Sequence, residues 1–221
     1  MARIARVIVP HYPHHITQRG SRSQTTFFHP ADYQLYIDLL VEHKNKFNIS
    51  IWAYCLMPNH VHLIITPENE TGISHYLSHT HRNYVLKINK RNGWTGHLWQ
   101  ERFCSFVMDE IHLLAAVRYV ELNPVRAALC KSAELWPWSS ARAHLSGNDD
   151  QLVSVKPMQD RVKSWQEYLQ DENDSAIIEV VRKHTKTGRP AGPKEFLVEL
   201  EKLTGKKLRK SKRGRKPKLI C

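Results

Sequence analysis

Between residues 14 and 122 the spacing of apolar side chains switches repeatedly between a two-residue and a helical period, and the order of those switches limits the fold more than any other feature. His14 to Gln18 alternates polar and apolar as a short strand and runs into the turn-rich Arg19-Gly-Ser-Arg22. From Pro30 to Phe47 the residues Tyr33, Tyr36, Ile37, Leu40 and Phe47 recur at helical spacing, with Pro30 suited to a first turn. Ile49 to Leu56 and Val61 to Thr66 read as two strands joined by Met57-Pro-Asn59, a connection short enough for a hairpin. A long helix is predicted from Gly72 to Arg91, carrying Ile73, Leu77, Tyr84 and Ile88 on one side and stopped by Gly93. Phe103 to Met108 reads as a strand. Asp109 caps a further helix with Ile111, Leu114, Ala115 and Leu122 on its apolar side, ending where Asn123-Pro124 removes the next backbone donor.

The order β-α-β-β-α-β followed by a helix is the split arrangement of an α+β, ferredoxin-like antiparallel sheet with helices mainly on one face. A chain of 221 residues allows one such domain and a smaller appendage, because single cores usually span about 100 to 200 residues. Turn residues cluster at Ser146-Gly-Asn-Asp-Asp150, after thirteen of the fourteen histidines have passed, so the main domain is expected over 1–145. Residues 146–205 read as an extension of two or three short amphipathic helices interrupted by Thr187-Gly-Arg-Pro190, and 206–221 as a basic tail.

Charge follows the same divisions. The net charge is +12, but it divides into +5 over 1–145, −2 over 146–205 and +9 over 206–221. A self-repelling run with so few apolar residues is expected to stay disordered and to bind a polyanion, nucleic acid first. The longest apolar run is Ile51–Met57, seven residues, whereas a spanning helix needs about 20. No membrane partner is expected. The first residues lack a signal-peptide apolar stretch, and the cysteines at 55, 104, 130 and 221 form no Cys-x-x-Cys pair, which fits a reducing cytoplasm.

Chemistry is suggested at two places. His60-Val61-His62 lies in a predicted strand, so both imidazoles share a face and can chelate a divalent cation, although two half-exposed sheet histidines fit the tripeptide as well. Tyr119 and Asn123, four residues apart, would share a face in the last turn of the helix that Asp109 opens. A phenolate can attack a phosphodiester, and an amide carbonyl can join two imidazoles around a cation. Structural alternatives stand beside this: a tyrosine on an amphipathic helix often has its ring in the core and its hydroxyl in water.

Four segments, Thr17-Gln-Arg-Gly20, Met57-Pro-Asn-His-Val-His-Leu63, Gly96-His-Leu-Trp-Gln-Glu-Arg-Phe103 and Arg118-Tyr-Val-Glu-Leu-Asn-Pro-Val-Arg-Ala127, together resemble the single-tyrosine HUH transposases, in particular the REP-associated tyrosine transposases. The resemblance covers nearly all of residues 10–145. It implies the HUH endonuclease fold, a catalytic role for the 1–145 domain, and a metal-dependent endonuclease and strand transferase acting on single-stranded or hairpin-forming repeat DNA. It also implies that His60 and His62 bind Mg²⁺ or Mn²⁺, that Asn123 supplies a polar third ligand, and that Tyr119 becomes joined to a 5′ phosphate. Two imidazoles suit Mn²⁺, Co²⁺ or Zn²⁺ better than Mg²⁺, which leaves the metal's identity open. The family includes monomers and homodimers, and a cytoplasmic, nucleoid-associated protein is expected.

For DNA binding the candidates are Arg19, Arg22, Arg82, Lys87, Lys90, Arg91 and Arg102, with Trp99 and Phe103 as stacking surfaces that also suit a core. Arg118 and Arg126 flank the tyrosine and are expected to contact phosphate or solvent. In the extension, Arg189 belongs to a segment expected to grip DNA without a catalytic function. Arg213 and Arg215 approximate a minor-groove Arg-Gly-Arg-Pro, interrupted by Lys216. His75 and His79, spaced i, i+4, are read as a solvated face. Alternative readings are a repeat-DNA-binding protein without turnover, a rolling-circle replication initiator or relaxase using the same chemistry, and an RNA-binding module of similar topology.

Overall fold

The computed structural model describes residues 6–171 and 175–209. Four strands, β1 (His14–Arg19), β2 (Ile49–Met57), β3 (His60–Pro67) and β4 (Cys104–Val107), form one antiparallel sheet in the order β2-β3-β1-β4. Helix α1 (Pro30–Lys46) connects β1 to β2 and α2 (Gly72–Asn92) connects β3 to β4, which gives the expected β-α-β-β-α-β order. After β4 come α3 (Glu110–Glu121), α4 (Asn123–Arg126), α5 (Ala141–Ser146), α6 (Lys156–Gln159), α7 (Trp165–Gln170), α8 (Ser175–Thr187) and α9 (Lys194–Thr204).

Local chemistry sets the ends of these helices. Asp32 in the first turn of α1 accepts the backbone N–H groups of Phe28 and His29, Asp109 accepts that of His112 ahead of α3, and Gly93 closes α2 in the left-handed region at φ 65°. α3 stops where the Asn123-Pro124 step is expected to stop it. α3 ends at Glu121 and Asn123 opens the separate α4, since Pro124 has no N–H to continue the hydrogen-bond ladder.

Both faces of the sheet are covered, which explains the unbroken apolar run in β2. α1 and α2 bury Tyr36, Leu40, Tyr76 and Tyr84 against Ile16, Leu56 and Leu63 on one face. α3, α7 and α8 pack on the other, over Cys55, Ile64 and Phe106. A bulge at Trp52 shifts the phase of β2, so Ile51 joins the first layer and Ala53 the second. The buried hydroxyls of Tyr76 and Tyr84 donate to the carbonyls of Leu40 and Thr26.

The residues after 122 are tied to this frame. The Glu121 carboxylate is fully buried and accepts from Ser140 Oγ at 2.5 Å, His144 Nδ1 at 2.6 Å and Trp165 Nε1 at 2.8 Å, joining α3 to α5 and α7. Trp136 donates to the Leu56 carbonyl at 3.0 Å and Trp138 stacks on Tyr33. Phe196 and Leu200 of α9 pack with Val7, Val9 and Val107 at the β4 edge. Among the described residues no helix is long and apolar enough to cross a membrane.

Candidate active site

Strand register assembles the floor of the site. Thr17 pairs with His62 and Cys104, and Arg19 with His60, so these side chains share the sheet face that α3 covers. The His60 and His62 ring centroids lie 4.9 Å apart at an interplanar angle of 78°.

The state of the two imidazoles follows from their hydrogen bonds. His60 Nδ1 lies 2.6 Å from Asn59 Oδ1, an acceptor, so it carries the proton. His62 Nδ1 lies 2.9 Å from His15 Nε2, and His62 Nε2 is buried without a hydrogen-bond partner. Burial, with Arg19 nearby, pushes His60 down to about 3; burial followed by the neighbouring His60, His15, Arg19 and Arg126 holds His62 well below the ordinary imidazole range. Each ring is therefore neutral at pH 7. His60 thus keeps its Nε2 lone pair for a ligand, and His62 does the same in the tautomer that donates from Nδ1 to His15, so the pair fits a borderline divalent cation. Among the described residues no group of three or more His, Cys, Asp or Glu is placed to hold a metal. Further donors would have to be amide, water or phosphate oxygens.

Tyr119 rises over this floor from α3, whose Leu113, Ala116, Val117 and Val120 are packed in the core and leave the tyrosine half-buried. Its ring centroid is 5.6 Å from that of His62 and 6.4 Å from that of His15. The Arg126 guanidinium lies 4.6 Å above the ring and donates to the Tyr119 carbonyl. Tyr119, His60 and His62 line one cleft of about 560 Å³, together with Arg19 and Arg102. Asn123 does not line it. It opens α4 one turn beyond Tyr119, and its Nδ2 is buried without a hydrogen-bond partner.

The remaining DNA-binding candidates separate into two groups. Arg22, Arg82, Lys87 and Lys90 are exposed. Arg82 and Arg102 border a second groove of about 580 Å³ that adjoins the first. Four others are engaged within the fold. Arg91 forks onto the buried Asp32, clamping the end of α2 to the start of α1. Trp99 is 8% exposed and packs among Phe27, Tyr36 and Tyr84, closing the α1–α2 layer rather than presenting a free stacking surface. Arg118 is 6% exposed, lies over the Tyr168 ring at 4.4 Å and donates to the Asp171 carbonyl at 3.2 Å. Arg189, half-buried, donates to the Leu208 carbonyl. Phe103 is likewise buried, under Arg6. His75 and His79 are exposed beside Phe47. Arg213 and Arg215 lie outside the described residues.

Sequence reasoning missed His15 and the side chains that α8 sends into the cleft, Glu179, Arg182, Thr185 and Lys186. Period-two alternation places His15 on the face of Thr17, but only the β1–β3 register reveals its contact with His62.

The model of the family described as "Transposase IS200 like" matches residues 8–123, more than half of the chain. Among solved structures, a REP-associated tyrosine transposase bound to a REP hairpin overlays with a TM-score of 0.58 at 19% identity, over 70% of this chain and 92% of that one. The overlay shows a shared fold. A protein of Deinococcus radiodurans R1 described as a candidate transposase overlays more weakly, with a TM-score of 0.38 at 19% identity, over 54% of this chain and 96% of that one. No curated protein matches the sequence.

Proposed function

The chain belongs to the IS200-like transposase family, and on that premise we propose that it nicks and rejoins single-stranded DNA beside a hairpin through a covalent 5′-phosphotyrosine at Tyr119. The observation that carries this reading is the approach of the Tyr119 ring to within 5.6 Å of His62 in a cleft shared with His60. A phenol on its own is a weak nucleophile, and two neutral imidazoles alone bind cations in many proteins. Their convergence in a cleft lined by arginines is what suits a phosphodiester.

In the proposed reaction the Tyr119 oxygen bonds to phosphorus and the bond from phosphorus to the 3′ oxygen breaks. The proton lost by the phenol ends on the departing 3′ hydroxyl, so the step needs no external energy source. Attack by a different 3′ hydroxyl reverses the chemistry and joins a new strand. His60 and His62 would hold a divalent cation, with Asn123 as a proposed further ligand. When bound, that ion supplies positive charge to the phosphate oxygens. His15 and Asn59 hold the two rings in the ligating tautomer, and Arg126 braces the tyrosine from above. Arg19 and Arg102 would steer the DNA backbone into the cleft, and Arg22, Arg82, Lys87 and Lys90 would extend that positive surface.

Hairpin DNA is favoured as substrate because the similar structure is a transposase bound to a REP hairpin. Tyrosine and imidazoles meet within a single chain, so one copy can assemble the site. We assign residues 1–145 to the catalytic domain, 146–205 to the helical extension and 206–221 to a DNA-binding tail, and place the protein's work in the cytoplasm on chromosomal DNA. The test is to incubate a labelled hairpin bearing single-stranded flanks with the protein and Mn²⁺. A detergent-resistant adduct is expected with the native chain and not with Tyr119→Phe or in EDTA; equal adduct from Tyr119→Phe contradicts the proposal.

A further inference from the structure

The family match ends at residue 123, yet one wall of the tyrosine cleft comes from far beyond it. Glu179, Arg182, Thr185 and Lys186 recur at three- and four-residue spacing, so they form one stripe of α8 facing the cleft. The sheet holds this helix in place. Val181 is fully buried in the layer above the sheet, and the His184 ring lies 5.8 Å from that of Phe106. Just past α8 the chain returns to the β4 edge, where Ala191 N–H donates to the Val107 carbonyl at 2.9 Å and Asp109 N–H donates to the Ala191 carbonyl at 3.0 Å.

One cation of this wall, Arg182, meets the tyrosine. The Arg182 guanidinium lies 5.8 Å from the Tyr119 ring centroid, and Arg126 lies 4.6 Å from the same centroid. Two guanidiniums from different helices thus converge on one phenol. Arg182 pairs with Glu179 at 3.6 Å, one turn back on the same helix, but both side chains are well exposed and such a pair binds weakly. Like charges held together at one ring leave room for an anion to share them, and a phosphate offers two oxygens to the planar guanidinium fork.

Resting on the reading of Tyr119 as nucleophile, we propose that the C-terminal extension completes the active site: Arg182, with Arg126 across the ring, contacts the non-bridging oxygens of the phosphate that Tyr119 attacks. Charge on those oxygens grows as the Tyr119–phosphorus bond forms, so a fixed cation there stabilises the transition state more than the bound substrate. The extension is thereby part of the catalytic machinery rather than a handle for DNA alone.

The test uses the full chain with hairpin DNA and Mn²⁺, comparing Arg182→Ala, Arg182→Gln and Arg182→Lys with Lys183→Ala, an exposed cation of the same helix outside the cleft. At saturating DNA the rate of adduct formation is expected to fall about 10- to 100-fold in the Ala and Gln variants, recover in part with Lys, and stay unchanged in Lys183→Ala. The slope of log affinity against log salt should drop by about 0.7 in Arg182→Gln, as for one lost single-strand phosphate contact. Melting temperatures within the error of the native chain keep folding out of the comparison for this exposed side chain. Native rates and salt slope in both Ala and Gln variants would overturn the proposal, as would an equal loss in Lys183→Ala. A native chain that forms no tyrosine adduct would instead refute the underlying functional reading.

Discussion

His15 Nε2 sits 2.9 Å from His62 Nδ1, and the two rings stack with centroids 5.1 Å apart. Burial pushes His15 down to about 3, so it is a neutral partner, and when its Nε2 accepts from His62 Nδ1 the His62 Nε2 is left as the ligating nitrogen. Replacing His15 with Ala leaves His62 free to turn or to change tautomer. The Mn²⁺ concentration giving half-maximal adduct should rise about 10- to 100-fold, with much of the rate restored at high Mn²⁺. An unchanged Mn²⁺ dependence would remove His15 from this role.

Gly20 makes a different prediction, about space. Its φ of −63° is open to any residue, but a Cβ there would lie 2.4 Å from the Gln24 carbonyl oxygen and 2.5 Å from Thr26 Cγ2. Gly20 N–H also donates to Asn59 O at 2.8 Å, immediately before His60. Gly20→Ala should cost about 1–3 kcal/mol through overpacking and slow adduct formation by displacing the His60 turn. Thermal melting checks the first effect; a melting temperature equal to that of the native chain would show that the turn relaxes freely.

Buried and exposed arginines should behave in opposite ways. Arg118→Ala removes a cation packed on Tyr168 and bonded to Asp171, and should cost about 1–3 kcal/mol of stability while leaving the salt slope of DNA binding intact. Arg19→Ala and Arg102→Ala should barely alter melting but should each lower that slope by about 0.7. Fluorescence titrations at several salt concentrations discriminate the two groups, and a slope lowered by Arg118→Ala would return that residue to the DNA surface.

Stability should fall on mild acidification. Burial pushes His14 down to about 4 and His81 down to about 3, whereas the unfolded chain takes up these protons near the ordinary imidazole value. Between those limits the unfolded state binds more protons, so each imidazole lowers stability by up to about 1.4 kcal/mol per pH unit as pH drops below about 6.5. Denaturant melts without metal should show this between pH 8 and 5, with a shallower slope for His81→Gln. A flat profile would mean that these rings protonate within the folded protein.

The parts of the molecule that are local were readable in the residues. Asp109 and Gly93 mark helix ends, and period-two alternation puts His60 and His62 on one face whatever the sheet around them. The helix end was equally local, since Pro124 lacks the N–H that would continue α3 and Asn123 opens α4 instead. Arg91, Arg118 and Trp99 look like binding residues by type; the pairing of Arg91 with Asp32 and the burial of Arg118 beside Asp171 and of Trp99 in the α1–α2 layer depend on partners remote in sequence. The α8 wall was hidden for the same reason, since the Ala191 bridge to β4 spans more than eighty residues.

The most direct measurement is to digest the DNA adduct formed in Mn²⁺ with protease and nuclease and locate the attached nucleotide by mass spectrometry. The account predicts a single phosphonucleotide on the peptide containing Tyr119, at its phenolic oxygen. A nucleotide on any other side chain, with Tyr119 unmodified, would contradict it.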